Sequence, residues 1–199
     1  MTAVVYYTAS TLDGFLADEH DSLDWLLGQD MDHEGPMGYG EFIAGVGALV
    51  MGATTYRWVL EHGRRTGEPW GYTQPCFVFT HRDLPAPEGV RLVSGSVAEH
   101  WPAIAEAAGE GDVWVVGGGE LAGAFWDTGH LDRLMVSTAP VTVGAGRPLL
   151  PRRLQLTLTR LERNRAFACA WYDVAGPGDR ETWPPAGPRD LDEEHDAVR

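Results

Sequence analysis

The sequence predicts an α/β fold: a single domain with a mostly parallel sheet, helices on both of its faces, and an antiparallel C-terminal hairpin. Three observations predict it. Short apolar runs alternate with segments of helical spacing through the first two thirds of the chain, the pattern of parallel strands joined by crossover helices. One of those runs, Ala48-Leu49-Val50-Met51, is apolar without alternation, which suits a strand buried on both faces. Beyond residue 150 the pattern changes, and 153–161 and 166–174 alternate like two antiparallel strands joined at Asn164.

Taken in order, Val4-Val5-Tyr6-Tyr7-Thr8-Ala9 reads as the first strand, broken by the turn signal Asp13-Gly14. Phe15-Leu16-Ala17 follows, then a polar loop from Asp18 to Asp24 and a glycine-rich stretch from Gly35 to Gly40. A short helix is expected through Glu41-Phe42-Ile43-Ala44, and the buried strand ending at Gly52 comes next. Thr54 or Thr55 can cap a helix through Trp58 and Leu60, with a polar loop from 61 to 74 behind it. Cys76 to Thr80 and Val90 to Val93 read as strands, and Ser96 caps a helix from Val97 to Ala108. Asp112 to Val116 is a strand running into Gly117-Gly118-Gly119. A helix through Leu121, Phe125 and Trp126 and a strand at Leu134 to Ser137 complete the alternation. The domain is expected to span residues 1–175. The tail, 176–199, holds Pro, Gly, seven acidic residues and three arginines, a composition too polar to pack a core.

Composition narrows the partners. The 199 residues are 44% hydrophobic and enough for one core, with a net charge of −14. That balance argues against nucleic acid and against an anionic membrane surface, since no basic surplus exists to meet phosphates. Cys76 and Cys169 sit in apolar, strand-like runs, too few for a disulfide framework. Buried free thiols, no signal peptide ahead of the first strand and no apolar run near the ~20 residues of a membrane helix give a cytoplasmic expectation. A small-molecule substrate is the expected partner. The eight tryptophans, with Trp171 on a presumed terminal edge strand and Trp183 in the tail, suggest a homodimer.

The strongest motif is Val115-Val116-Gly117-Gly118-Gly119-Glu120-Leu121. Glycines let a backbone approach a ligand, and a helix N-terminus offers free N–H groups and partial positive charge. That makes a phosphate or pyrophosphate site at the carboxyl end of a strand. The other reading is a tight turn, but three consecutive glycines exceed what a turn needs. The spacing is not G-x-G-x-x-G. A second junction, Gly52-Ala53-Thr54-Thr55, repeats the logic with hydroxyls at a helix start, where Thr is also a routine cap. Thr80-His81-Arg82 closes a third strand. Its arginine can pair with a phosphate or be a solvated charge, and His81 can add to it or stand by.

The order strand, Asp13-Gly14, Gly52-x-Thr54-Thr55-Tyr56, Thr80-His81-Arg82, Gly117-Gly118-Gly119 resembles the dihydrofolate-reductase-like superfamily. It is most similar to the branch shared with the riboflavin-biosynthesis pyrimidine reductase domain, where the first strand leads into a motif like Ser10-Thr11-Leu12-Asp13-Gly14. The resemblance covers about residues 3–174. It implies NADPH as hydride donor, and oxidoreductase activity on a small, pterin-like or aminopyrimidine-like ring. It further implies that Gly117, Gly118 and Gly119, with Glu120 and Leu121 at the helix start and an unusual Gly-Gly peptide bond, hold the pyrophosphate. Gly52, Thr54 and Thr55 would hold the same group. Thr80, His81 and Arg82 would read the 2′-phosphate, Ser94 to Ser96 would line the adenine, and Ala9 and Leu16 would flank the nicotinamide. The chain departs from the pattern at Ala53, where the family commonly has arginine.

Reduction also needs a proton. In folate reductases an acid follows a Trp by five positions, an offset matched by Trp25 and Asp30; Asp24 is the rival, and both could be solvated loop carboxylates. Tyr7 and Ser137 fall where the family contacts substrate, or are core residues. Gln74 stands near the place of the folate-clamping arginine, and Arg64 and Arg65 lie too far upstream to replace it. Three readings result: a reductase of a small heterocycle, the 5-amino-6-(5-phosphoribosylamino)uracil reductase of riboflavin synthesis, or a nucleotide-binding protein without turnover.

Overall fold

The structure, a computed structural model, describes residues 2–68 and 70–177. Its strands are β1 (Val4–Thr11), β2 (Phe15–Ala17), β3 (Val46–Gly52), β4 (Cys76–Phe79), β5 (Val90–Val93), β6 (Asp112–Gly117), β7 (Arg133–Ala139), β8 (Arg147–Pro148), β9 (Leu154–Asn164) and β10 (Phe167–Pro177). Its helices are α1 (Asp24–Leu27), α2 (Tyr39–Ala44), α3 (Ala53–Thr66), α4 (Val97–Ala108) and α5 (Gly119–Asp127). Eight strands form one sheet in the order β5-β4-β3-β6-β1-β7-β10-β9, while β2 and β8 pair separately. Every neighbouring pair from β5 to β7 is parallel, and β10 runs antiparallel to both β7 and β9.

Side-chain alternation sorts the sheet into two cores. Val4, Tyr6, Ala48, Val50, Val113 and Val115 face one side, where α4 and α5 cover them through Ile104, Leu121 and Phe125. Leu49, Met51 and Trp114 face the other, under α3 and α2 through Tyr56, Phe42 and Ile43. This two-sided burial explains why β3 reads as an uninterrupted apolar run, with Ala48 through Met51 fully buried. Cys76 and Cys169 are both buried and unpaired.

Several local expectations are corrected. Thr54 and Thr55 do not cap α3. Gly52 is its N-cap, with no capping side chain, and both threonines lie in the first turn. The segment from 61 is not a loop: α3 continues to Thr66, aided by the exposed Glu61–Arg64 pair, and stops at Gly67 in the left-handed region. Ser96 does cap α4, accepting from the Glu99 amide and bonding the Glu99 carboxylate. The C-terminal hairpin turns at Arg165-Ala166 rather than at Asn164, which is buried at the end of β9. Asn164 instead holds the preceding loop, accepting from the Asp32 amide and donating to the Asp32 and Pro36 carbonyls. Trp171 does not lie on an edge. β10 is flanked by β7 and β9, so β9 is the edge strand, and Arg160 stacks over the Trp171 ring at 4.5 Å. β10 runs through Pro177, into the Gly176-Pro177 pair with which the expected tail begins; 178–199, including Trp183, lie outside the described residues.

Candidate functional site

Parallel pairing places the carboxyl ends of β1, β3, β4, β5, β6 and β7 along one rim, the side where open α/β sheets take ligands. Because β3 and β6 are neighbours, with Met51 opposite Gly117, the two glycine junctions end side by side. A Cβ at Gly52 would lie 3.7 Å from the Gly117 carbonyl oxygen and 3.8 Å from the Gly118 nitrogen. Helices α3 and α5 both start here, each from a glycine N-cap with no capping side chain. Their first-turn N–H groups are the donors that an anion would satisfy.

The three consecutive glycines serve different ends. Gly117 has φ +155°, and a Cβ there would sit 3.1 Å from the Thr55 hydroxyl. The Gly117–Gly118 peptide is cis. Gly118 has ordinary extended backbone, and a Cβ there would meet no atom within 4 Å, so the space before it is open. Gly119 is packed against the Pro148 and Leu149 carbonyls so closely that a Cβ would collide with both. Glu120 is exposed and pairs with Arg152, which also holds Asp127. Leu121 belongs to the core, and its amide already donates to the Gly118 carbonyl at 3.0 Å.

Thr80, His81 and Arg82 continue β4 at the same rim. The Thr80 amide donates to the Val93 carbonyl, and the Thr80 hydroxyl accepts from the Arg82 amide, forming a small turn. His81 and Arg82 are exposed, and the Arg82 guanidinium has no ion pair among the described residues. Ser94 is held by its carbonyl against the His100 ring, 2.8 Å from Nε2. Ala9 and Leu16 are half-buried at the rim, and the Leu16 carbonyl accepts from the Trp25 indole at 3.2 Å. That bond ties α1 to β2.

The proposed acids are not held in a dry pocket. Asp24 and Asp30 are both exposed, and neither carboxylate makes a hydrogen bond among the described residues. Asp30 is instead fixed by its backbone, accepting from Ala166 in the hairpin turn at 3.3 Å. Ser137 pairs with Ala9 in the sheet register but is buried, its hydroxyl 3.1 Å from Met37 Sδ and 3.6 Å from Cys169 Sγ. Tyr7 stacks on Phe42 with ring centres 4.0 Å apart, and its hydroxyl donates to the Met37 carbonyl. Burial pushes that hydroxyl up to about 12.

Two features escaped the sequence. Asp13 accepts from the Thr11 hydroxyl and from the Val143 and Gly144 amides, so it pins the loop after β7 against the end of β1. That loop reaches the glycine run through Leu149, which also accepts from the buried Tyr6 hydroxyl at 3.0 Å. The Asp-Gly dipeptide signalled a turn, but a partner 130 residues away leaves no local trace. The second feature is an aromatic cluster in which Tyr7, Tyr39, Phe42 and Tyr72 surround Trp114, drawn from β1, α2, β6 and the segment before β4.

The RibD C-terminal domain family model matches residues 2–171. The chain is 30% identical over 168 residues to the uncharacterized protein YwjB of Bacillus subtilis (strain 168), covering 83% of this chain and 92% of that protein. It is similar to the crystal structure of a putative riboflavin biosynthesis protein from Shewanella sp. PV-4, with a TM-score of 0.73 and 26% identity over 87% of this chain and 99% of that one. A dihydrofolate reductase from Enterococcus faecalis, complexed with NADP(H) and RAB-propyl, shares the fold, with a TM-score of 0.51 and 16% identity over 89% of this chain and 97% of that one. The chain therefore belongs to the RibD C-terminal domain family, on a dihydrofolate-reductase-like fold.

Proposed function

We propose that this protein is an NADPH-dependent reductase of a small heterocyclic substrate. The observation that carries the reading is the pair of uncapped helix starts, α3 and α5, meeting at Gly52 and Gly118 with open space at Gly118. That arrangement fits a diphosphate: free N–H donors from two helices and no side chain between them. Gly117, Gly118, Thr54 and Thr55 would hold this group, and the exposed Arg82 would meet a 2′-phosphate, in the absence of an arginine at Ala53. Bound NADPH supplies the hydride. Ala9 on β1 and Leu16 on β2 would position the reacting ring, and the pinned loop after β7 would keep the glycine run in place.

The reading is tested by titrating the protein with NADPH and NADH and following cofactor fluorescence. NADPH is expected to bind, and to bind tighter than NADH; no binding of either would overturn it. The exposure of Asp24 and Asp30 favours a second reading, nucleotide binding without turnover. Consumption of NADPH with dihydropterins, aminopyrimidinones or small quinones decides between the two. The riboflavin pathway reductase remains the narrower alternative, supported by the family and by the name of the Shewanella protein.

A homodimer also remains a proposal, and its surface moves from Trp171 to β9, where Leu158 and Leu161 are exposed on the edge strand. Light scattering that reports a monomer at tens of micromolar would overturn it. The described residues hold no helix long and apolar enough to cross a membrane.

A further inference from the structure

Arg152 differs from the other ion-paired arginines of this protein. Among the described residues it is the one arginine that meets two carboxylates, and at 29% side-chain exposure it is the least exposed of the set. Its Nε donates to the two Asp127 oxygens at 2.9 and 3.1 Å. Its Nη1 donates to Glu120 at 3.1 Å and to the Pro151 carbonyl at 2.9 Å. Glu120 stands in the first turn of α5 and Asp127 is its last residue, so one guanidinium braces the length of the helix.

Gly123 makes this possible. Residues 120, 123 and 127 share one stripe of the helix. A Cβ at Gly123 would lie 2.9 Å from Arg152 Cγ and 3.0 Å from its Cζ, so the side chain lies along bare helix backbone. The same loop meets α5 one turn earlier, where the Pro148 and Leu149 carbonyls pack against Gly119.

The charge of Arg152 matters because of where Glu120 is. The first turn of a helix carries partial positive charge, and a carboxylate placed there competes for it with an anionic ligand. The first turn of α3, the other half of the junction, holds no acidic residue, whereas that of α5 holds Glu120. In a chain of net charge −14, an incoming anion meets an unfavourable field unless that carboxylate is cancelled locally. The Glu120 side chain is largely exposed, so the cancellation is sensitive to salt.

We propose that Arg152 is a positioning residue of the glycine junction: by neutralising Glu120, it leaves the start of α5 to an anionic diphosphate. This rests on the reading of the junction as a cofactor site. It adds to that site a residue outside the glycine motif, 32 positions beyond Glu120, that acts through Glu120.

The test is titration with NADPH and, separately, with inorganic pyrophosphate, at about 0.02 M and about 0.5 M ionic strength. The proteins are the parent, Arg152→Met, Glu120→Gln and the double variant. Arg152→Met should weaken both ligands about two- to fivefold at low salt, the effect of one charge at a helix start, and by less at high salt. Glu120→Gln should bind both about twofold tighter than the parent, since Arg152 then faces one carboxylate instead of two. The double variant should recover the parent's affinity. Thermal melts should not follow affinity: Arg152→Met and the double variant should both melt below the parent, because Asp127 has lost its partner in each. A purely structural Arg152 would leave the double variant as weak as Arg152→Met, or give a loss independent of salt, and either result overturns the proposal. So does parent-like binding by Arg152→Met. If Arg152→Met fails to fold, Glu120→Gln decides, and binding no tighter than the parent's overturns the proposal. Should NADPH not bind while pyrophosphate binds with this pattern, the reductase reading falls and the role of Arg152 stands. Should neither bind the parent, both fall.

Discussion

Two regions of this molecule offered candidate chemistry, the glycine junction between β6 and α5 and the acidic segment from Asp18 to Glu34. The fold treats them in opposite ways. The junction is enclosed on three sides: β3 ends against it, Leu149 lies under Gly119, and Asp13 pins the loop that carries Leu149. The acidic segment is pinned by backbone bonds and by Asn164, while the carboxylates of Asp24 and Asp30 stand in solvent. Catalytic geometry needs side chains locked by their surroundings. On that criterion the junction is the stronger candidate site, and the acidic segment is scaffolding with the Asp24 and Asp30 charges solvated.

The largest effect that sharpens the comparison lies within the glycines themselves. Gly119→Val should cost about 3 kcal/mol or more of stability, because the new side chain meets two carbonyl oxygens of a pinned loop. Gly118→Val should leave the protein folded, with ordinary extended backbone and empty space before it, yet abolish NADPH binding. Thermal melts and cofactor titrations on the two variants separate the roles. If Gly118→Val keeps NADPH affinity while folded, the junction is only a turn.

Next in size is Arg82→Ala. A charge-assisted bond is worth about 1.5–3 kcal/mol, and an exposed guanidinium falls at the lower end, about tenfold in affinity. The variant should lose most of the preference for NADPH over NADH and leave NADH binding unchanged. Equal affinities for the two cofactors in the parent would show that no group reads the 2′-phosphate.

Asp13→Asn probes the pin. The Thr11 hydroxyl, followed by the Gly144 and Val143 amides, holds the Asp13 carboxyl below its ordinary pKa. A depressed carboxylate contributes stability that is present above its unfolded pKa of about 3.9 and is lost as pH falls through the lower folded value. The melting temperature of Asp13→Asn should therefore lie below that of the parent at neutral pH. The gap should close as pH falls below about 4, and a gap independent of pH would assign the loss to something other than this carboxylate.

The smallest expected effects are those of Asp24→Asn and Asp30→Asn. Exposed and unsupported, each should change turnover by less than about threefold, against the factor of about 10²–10⁴ that a positioned acid contributes. A loss of that larger size in either variant would break the comparison and return the proton to a carboxylate.

What the sequence determined by itself is what short-range physics writes into it. The continuous apolar run of β3 announced burial on both faces. The Ser96 cap marked the start of α4, and Gly109 stands just past its end at Ala108. The strand-glycine-helix junctions announced a rim able to take a phosphate, and their order along the chain pointed to the family. The tertiary structure decided everything that depends on distant partners. It split three identical glycines into one facing Thr55, one facing open space and one facing Leu149. It buried Ser137 between two sulfurs, left Asp24 and Asp30 in solvent, set Asp13 against amides 130 residues away, and gathered Tyr7, Tyr39, Phe42 and Tyr72 around Trp114. The reason is physical. Propensity, capping and periodicity act over a turn of helix or a few residues of strand, whereas burial and the pairing of polar groups depend on which segments the sheet order brings side by side.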